Sequence, residues 1–324
     1  MTRPLKSALF ALVLLPGAFA EWKTLETNGE PVARHEAGFL DVEDKAYLVG
    51  GRRINPVSIF DPATNTWTQG AASPIEIHHF QPVEYKGEIW VVGAMTGKFP
   101  NETPVEKVLI YNPEKDAWRW GPEIPEGRAR GGAGVSLYEG KIYLSAGITR
   151  GHMGGFIPWH DVLDPETGEW TQLPDAPHAR DHFQSAVLDG KLYLAGGRQT
   201  SRETNEVFSR TVAPVDVYDF ASGTWSTLEK ELPTPRAGNT TFSFGRKVIV
   251  IGGETGHNQT AHAEVEAYDV DARNWQSLPS LNRGRHGTGV AIIKCTLYTA
   301  SGSGNRGGRP ELSDIEATPC ETFH

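Results

Sequence analysis

The chain is poor in cysteine, methionine and basic charge. Its 324 residues hold two cysteines, three methionines, and 31 Lys and Arg against 40 Asp and Glu. Two cysteines cannot build the multi-bridge framework of a small disulfide-stapled domain. A formal net charge of −9 repels phosphate backbones, so no nucleic acid is expected as a partner. No HExxH or similar short-range ligand motif occurs. Past the first twenty residues no apolar run is long enough to cross a bilayer, so no membrane span is expected. What is plentiful is glycine (36) and proline (22) beside 38% hydrophobic residues, a composition that suits an all-β chain with many turns.

The first twenty residues differ from the rest. Arg3 and Lys6 precede the short apolar run Ala8 to Leu15, and Ala18-Phe19-Ala20 is a small-x-small cleavage signal. Residues 1–20 therefore read as a secretory signal peptide cut before Glu21. The alternative, an uncleaved anchor, needs a longer apolar run. The expected location is outside the cell, or the periplasm in a bacterial host, with residues 21–324 as one domain in an oxidising compartment. Three N-x-S/T sequons, at Asn101, Asn239 and Asn258, are candidate glycosylation sites there.

The main signal is a repeat. Tryptophans recur at Trp22, Trp67, Trp118, Trp170, Trp225 and Trp275, about 50 residues apart. Each unit runs through the same order. A Pro- and Arg-containing loop leads into a strand, and a turn such as Glu139-Gly140 or Asp189-Gly190 follows. An apolar strand then ends in Gly-Gly, as at Gly50-Gly51, Gly196-Gly197 and Gly252-Gly253. After a variable loop comes an Asp- or Asn-centred turn such as Phe60-Asp61-Pro62 or Tyr111-Asn112-Pro113, and the Trp closes the unit.

These Gly-Gly, Tyr-Asp-Pro and Trp elements, recurring in order over residues 21–324, resemble the Kelch family, and among its members the secreted galactose-oxidase-like Kelch proteins of fungi. The resemblance implies an all-β fold, a six-bladed Kelch β-propeller. Blades with two apolar faces stack around an axis. The last unit has three strands and no Trp, so the N-terminal segment with Trp22 is expected to supply its fourth strand and close the ring. Cys295, in the turn between the first two strands of that blade, and Cys320, after its third, are then expected to form a disulfide. A copper site with a Cys–Tyr crosslink is not expected, because both cysteines fall on the opposite face from the ligand loops.

Ligands of such propellers usually bind on the face formed by the loops entering the first strand and leaving the second. Ten of the eleven histidines map to those loops by this alignment, His160 among them. Aligned back from Gly-Gly, Arg34, Arg130, Arg180, Arg236 and Arg285 share a column, with Ile77 in blade 2. The next two columns hold His35-Glu36, His78-His79, Gly131-Gly132, Asp181-His182, Ala237-Gly238 and His286-Gly287. His79, Asp181 and His182 are candidate catalytic residues for acid–base work on a sugar or carbonyl compound. His35, Glu36, His78, Arg130, Trp159 and His286 are candidate ligand-binding residues. The converging imidazoles also suit a transition metal. The structural alternative is that the arginines and histidines only bond neighbouring blades, and for the arginine column it is the preferred one. The expected function is binding of a small molecule, a glycan or a protein. The alternative is an enzyme, mutarotase-like or metal-dependent, acting on a sugar or a natural-product intermediate. Fungal propellers of this kind occur in such pathways.

Overall fold

The computed structural model describes residues 21–323. The expected signal segment 1–20 and His324 lie outside the described residues. Six four-stranded antiparallel sheets follow one another around an axis. Blade 1 is Ala37–Val42, Lys45–Gly50, Pro56–Asp61 and Thr66–Ala72. Blade 2 is Pro82–Tyr85, Glu88–Val91, Lys107–Asn112 and Ala117–Glu123. Blades 3, 4 and 5 begin at Gly134–Tyr138, Ser185–Leu188 and Thr240–Phe244. Blade 6 is Ala291–Ile293, Thr296–Ala300 and Ile315–Pro319, completed by Lys23–Thr24 from the other end of the chain. That closing strand pairs Lys23 with Ala317 and Thr24 with Glu316.

The local chemistry explains the repeat. Between the first two strands, Glu139-Gly140 and Asp189-Gly190 both take positive φ at each residue. This is the hairpin turn whose twist matches that of paired strands. The first glycine of each pair lets the next blade approach. At Gly252, with φ of +65°, an added Cβ would lie 2.3 Å from the Arg285 carbonyl. The apolar residues form six clusters, each shared by two adjacent blades. One joins Phe39, Phe60 and Trp67 of blade 1 to Tyr298 and Ala300 of blade 6. Another joins Tyr193 and Val217 of blade 4 to Val248 and Tyr268 of blade 5. A blade therefore has no core of its own, and stacking creates the core.

Four of the six repeated tryptophans stitch this stack as well as fill it, while the indole N–H groups of Trp22 and Trp67 are buried without a partner among the described residues. The indole N–H of Trp118 donates to Ala71 O at 3.1 Å, Trp170 to Glu123 O at 3.0 Å, Trp225 to Pro174 O at 2.8 Å and Trp275 to Lys230 O at 3.1 Å. In each case the acceptor lies near or just past the end of the outer strand of the preceding blade. Cys295 and Cys320 form a disulfide across blade 6. Trp22 is buried beside Phe323 in the cluster between blades 5 and 6.

Candidate functional site

The guanidiniums of the arginine column bond within their own blades, which corrects the sequence expectation, while the backbone carbonyls of Arg180, Arg236 and Arg285 accept from Gly147, Gly197 and Gly253 of the neighbouring blade. Each guanidinium donates to carbonyls of its own second strand and faces a residue on its own third strand. Arg130 reaches Ala146 O, Leu144 O and Asp161; Arg180 reaches Leu194 O, Gly196 O and Asp216. Arg236 meets Glu266, and Arg285 meets Glu316. In blade 1, Arg34 meets the Ser58 hydroxyl instead. In blade 2 the corresponding pair is Ile77 and Leu109, both apolar and buried. Arg130 is fully buried in this staple and is not a ligand contact.

The second column forms a collar around the axis. His79 N–H donates to Glu36 O at 3.0 Å, Gly132 to His79 at 2.7 Å and His182 to Gly132 at 2.7 Å. Gly238 donates to His182 at 2.5 Å, Gly287 to Gly238 at 2.9 Å, and Ala37 to Gly287 at 3.1 Å closes the circle. Every collar residue has left-handed backbone, with φ between 54° and 66°. Glycine takes this conformation freely; other residues pay roughly 1 kcal/mol or more. Three blades use glycine and three place a functional side chain there: Glu36, His79 and His182. Backbone strain held at side chains that crowd one axis marks a candidate site.

Loops bring further groups to the same point. The excursion after the second strand of blade 2 folds as a ribbon, Met95–Thr96 against Thr103–Pro104, and carries Glu102 inward. The one-turn 3-10 helix Gly151–Met153 of blade 3 carries His152. Gly151 packs on Glu102 so closely that a Cβ would lie 2.5 Å from its carboxylate. His79, His152 and His182 thus meet with one nitrogen of each ring within 4.8 Å of the others, all buried. Ring centroids lie 5.3 Å apart for His79–His152, 4.7 Å for His79–His182 and 4.8 Å for His152–His182.

Hydrogen bonds assign the protons on these rings. His78 Nε2 faces the Gly97 carbonyl at 3.0 Å, so it donates there. Its Nδ1 then accepts from His79 Nδ1–H at 2.5 Å, which leaves a lone pair on His79 Nε2, 3.6 Å from the Glu36 carboxylate. Asp181 takes the Nδ1–H of His182, and Glu102 takes that of His152 at 3.0 Å. His182 Nε2 is buried without a partner among the described residues. His152 Nε2 lies 3.4 Å from the Arg198 guanidinium, which can only donate. Burial lowers the His79 and His152 values, and brings His78 down to about 4, which keeps all three neutral. On the far side of the collar, burial alone would lower His286. The Glu254 carboxylate at 3.4 Å and that of Glu36 at 3.6 Å outweigh it and push His286 up to about 9.

A cavity of about 1300 Å³ opens above this floor. Glu36, His79, His152 and Glu254 form its base, His35 and Glu311 one wall, and Phe99 and Phe208 its apolar rim. His35 Nδ1 meets Glu311 at 2.8 Å. Other expected site residues sit elsewhere. His78 is fully buried behind His79 and orients it. His286 donates to the Asn305 and Gly307 carbonyls behind the cavity wall. Asp181 is fully buried and holds His182 and the Thr200 backbone N–H, so it positions rather than contacts. Trp159 does not line the cavity, because its face packs 4.3 Å from the Arg128 guanidinium. His160 is not on the rim but buried between blades 3 and 4 against Tyr218 and Trp225. The Asn239 side chain, 1% exposed, donates to Ala195 O and the Thr241 hydroxyl, so no glycan can be attached in the folded chain. Asn101 and Asn258 are exposed. Sequence reasoning missed Glu102, which lies in a non-periodic excursion, and also Arg198 and Glu254, which each directly follow a Gly-Gly pair and bridge to Asp181 and Ala237, a repeated position that could have revealed them.

Comparison with known proteins agrees with the propeller fold. A family model, the KLHDC2/KLHL20/DRC7 Kelch-repeats domain, matches residues 120–302. The chain belongs to the Kelch-repeat family. Kelch propellers commonly mediate binding of partners. This Kelch chain is 27% identical to Kelch-like protein terF of Aspergillus terreus over 307 residues, 89% of this chain and 65% of that one. It is 29% identical to alpha-scruin of Limulus polyphemus over 69% of its own length and 24% of that protein. To human Kelch-like protein 23 it is 26% identical over 79% of this chain and 43% of that one. The Kelch chain thus spans less than two thirds of the length of these relatives. Its fold is similar to that in "Structure of YjhT", with a TM-score of 0.74, 16% identity, and 89% of this chain and 95% of that chain covered.

Proposed function

We propose that this Kelch propeller binds a small organic molecule in its axial cavity, polar end down on Glu36, His79 and His152 and apolar part against Phe99 and Phe208. The observation that carries this reading is the cavity itself: about 1300 Å³ with a floor of buried imidazole and carboxylate and an aromatic rim. Small-molecule sites are concave with convergent polar groups beside apolar contact surface; here the lining is mostly charged or polar, and Phe99 and Phe208 supply the aromatic surface. Lys98 and Arg309 also line the cavity, and among the described residues neither has an ion-pair partner. They favour a ligand bearing a carboxylate or another acidic group. The test is a thermal-shift and calorimetric screen of aromatic and aliphatic organic acids. A ligand that stabilises the native protein should lose about tenfold or more in affinity in Lys98→Ala and Arg309→Ala, each worth roughly 1–2 kcal/mol. Affinity untouched by both changes would overturn the placement.

His79, which lines the cavity with its Nδ1–H committed to His78, favours a second reading in which the bound molecule undergoes proton transfer at Nε2. His79→Asn, which tolerates the left-handed backbone, should then lower turnover far more than affinity. We further propose that residues 1–20 are removed during export. Mass spectrometry of the secreted protein should find Glu21 at its N-terminus.

A further inference from the structure

We propose that His79, His152 and His182 form a binding site for one divalent transition-metal ion, with a coordination position left open toward the cavity. No motif announces it, because the three ligands come from three separate segments: two collar positions and the 3-10 turn Gly151–Met153. Four observations carry it.

The first is convergence: one nitrogen from each ring lies within 4.8 Å of the others. The second is the proton assignment. Each Nδ1–H is taken by an orienting acceptor, His78 for His79, Glu102 for His152 and Asp181 for His182. This turns the three Nε2 lone pairs away from their orienting acceptors: that of His182 meets no donor among the described residues, that of His79 lies 3.6 Å from the Glu36 carboxylate, and that of His152 meets only the Arg198 guanidinium at 3.4 Å. Metal-bound histidines are held in this way, by a carboxylate or similar acceptor on the far nitrogen. The third is the orphan: His182 Nε2 is buried with no hydrogen-bond partner, a costly state for a polar atom unless something occupies it. The fourth is charge. Four carboxylates with 11% or less side-chain exposure, Glu36, Glu102, Asp181 and Glu254, face two guanidiniums, Arg52 and Arg198. Even with His286 protonated the floor retains negative charge, which a bound cation would balance.

Neutral imidazole donors select zinc, copper(II) or iron(II) over calcium or magnesium. To hold an ion at about 2.0–2.1 Å from each nitrogen, the rings must close by up to roughly 1.5 Å. Arg198, now 3.4 Å from His152 Nε2, would keep its bonds to Glu254 and Thr200 as the metal displaces it from that nitrogen. His79 and His152 line the cavity and His182 lies behind them, so the open position faces the ligand space.

The experiment needs no organic ligand and so stands apart from the small-molecule reading. The purified chain, freed of metal by a chelator, is titrated with Zn²⁺ by calorimetry and with Co²⁺ by its visible d–d absorption. We expect one ion per chain and an intense, low-symmetry cobalt spectrum. His182→Asn and His152→Gln should abolish both signals, while Asp181→Asn and Glu102→Gln should weaken affinity about 10–100-fold. His178→Ala, at a partly exposed histidine that bonds Asp216 at 2.8 Å outside the cluster, should change neither. Circular dichroism and thermal unfolding establish that each variant is folded. Wild-type protein that takes up neither ion, or binding that survives His182→Asn and His152→Gln together in a folded variant, overturns the site.

Discussion

At His160 the side chain and its surroundings disagree, and the disagreement has a pH signature. The ring is fully buried, its Nδ1 meets the Ser145 hydroxyl at 2.9 Å, and its Nε2 has no partner. Burial, with Arg130 adding to it, brings its value down from 6.5 to about 3. The folded state therefore keeps His160 neutral where the unfolded chain binds a proton. Stability from this residue is complete above pH 6.5 and is lost as pH falls toward 3, at up to about 1.4 kcal/mol per pH unit. Urea unfolding at pH 4 and pH 7 should show a smaller difference in His160→Phe than in wild type. An unchanged difference would mean that the proton is taken up elsewhere. Single residues were the least legible level of the sequence. His160 read as a rim histidine and Asn239 as a sequon because a short motif carries no information about which way a strand faces.

Between residue and molecule, the blade is the unit in which the buried arginines make sense. Arg236 donates to the Gly252 and Val250 carbonyls and pairs with Glu266. Blade 2 shows that the pair can be dispensed with if both members go together, since Ile77 and Leu109 fill the same space. Removing one partner of such a pair strands a buried charge, whereas an apolar pair of similar size costs little. Arg236→Ile should therefore destabilise by about 3–5 kcal/mol, and Arg236→Ile with Glu266→Leu should recover most of that loss. A double-mutant cycle on unfolding free energy measures it; strictly additive losses would refute the coupling. The arginine column was legible as a column. Its direction was not: the sequence spacing does not say whether a guanidinium turns to its own third strand or to the neighbouring blade.

Across the whole molecule, closure depends on a short join. Two residues, Lys23 and Thr24, complete blade 6, and the Leu25 N–H adds a bond to Ile315 O. The Cys295–Cys320 disulfide, spanning 25 residues, pins the strand to which they pair. Loop entropy gives such a crosslink roughly 3 kcal/mol. Replacing both cysteines by alanine should lower stability by about that amount, with amide exchange rising first in 21–25 and 315–323. Uniform exchange across all blades would show that the ring opens elsewhere.

Taken alone, the sequence determined the number of blades, the Trp positions that stitch them and the circular join, because each is a local signal repeated about every 50 residues. Period survives without knowledge of orientation. The tertiary structure alone decided which polar groups meet. His79 and His182 point to the axis because the collar holds them in left-handed backbone, and Glu102 and His152 join them from excursions that share no spacing. Convergence of that kind depends on blades already stacked, and no linear pattern records it.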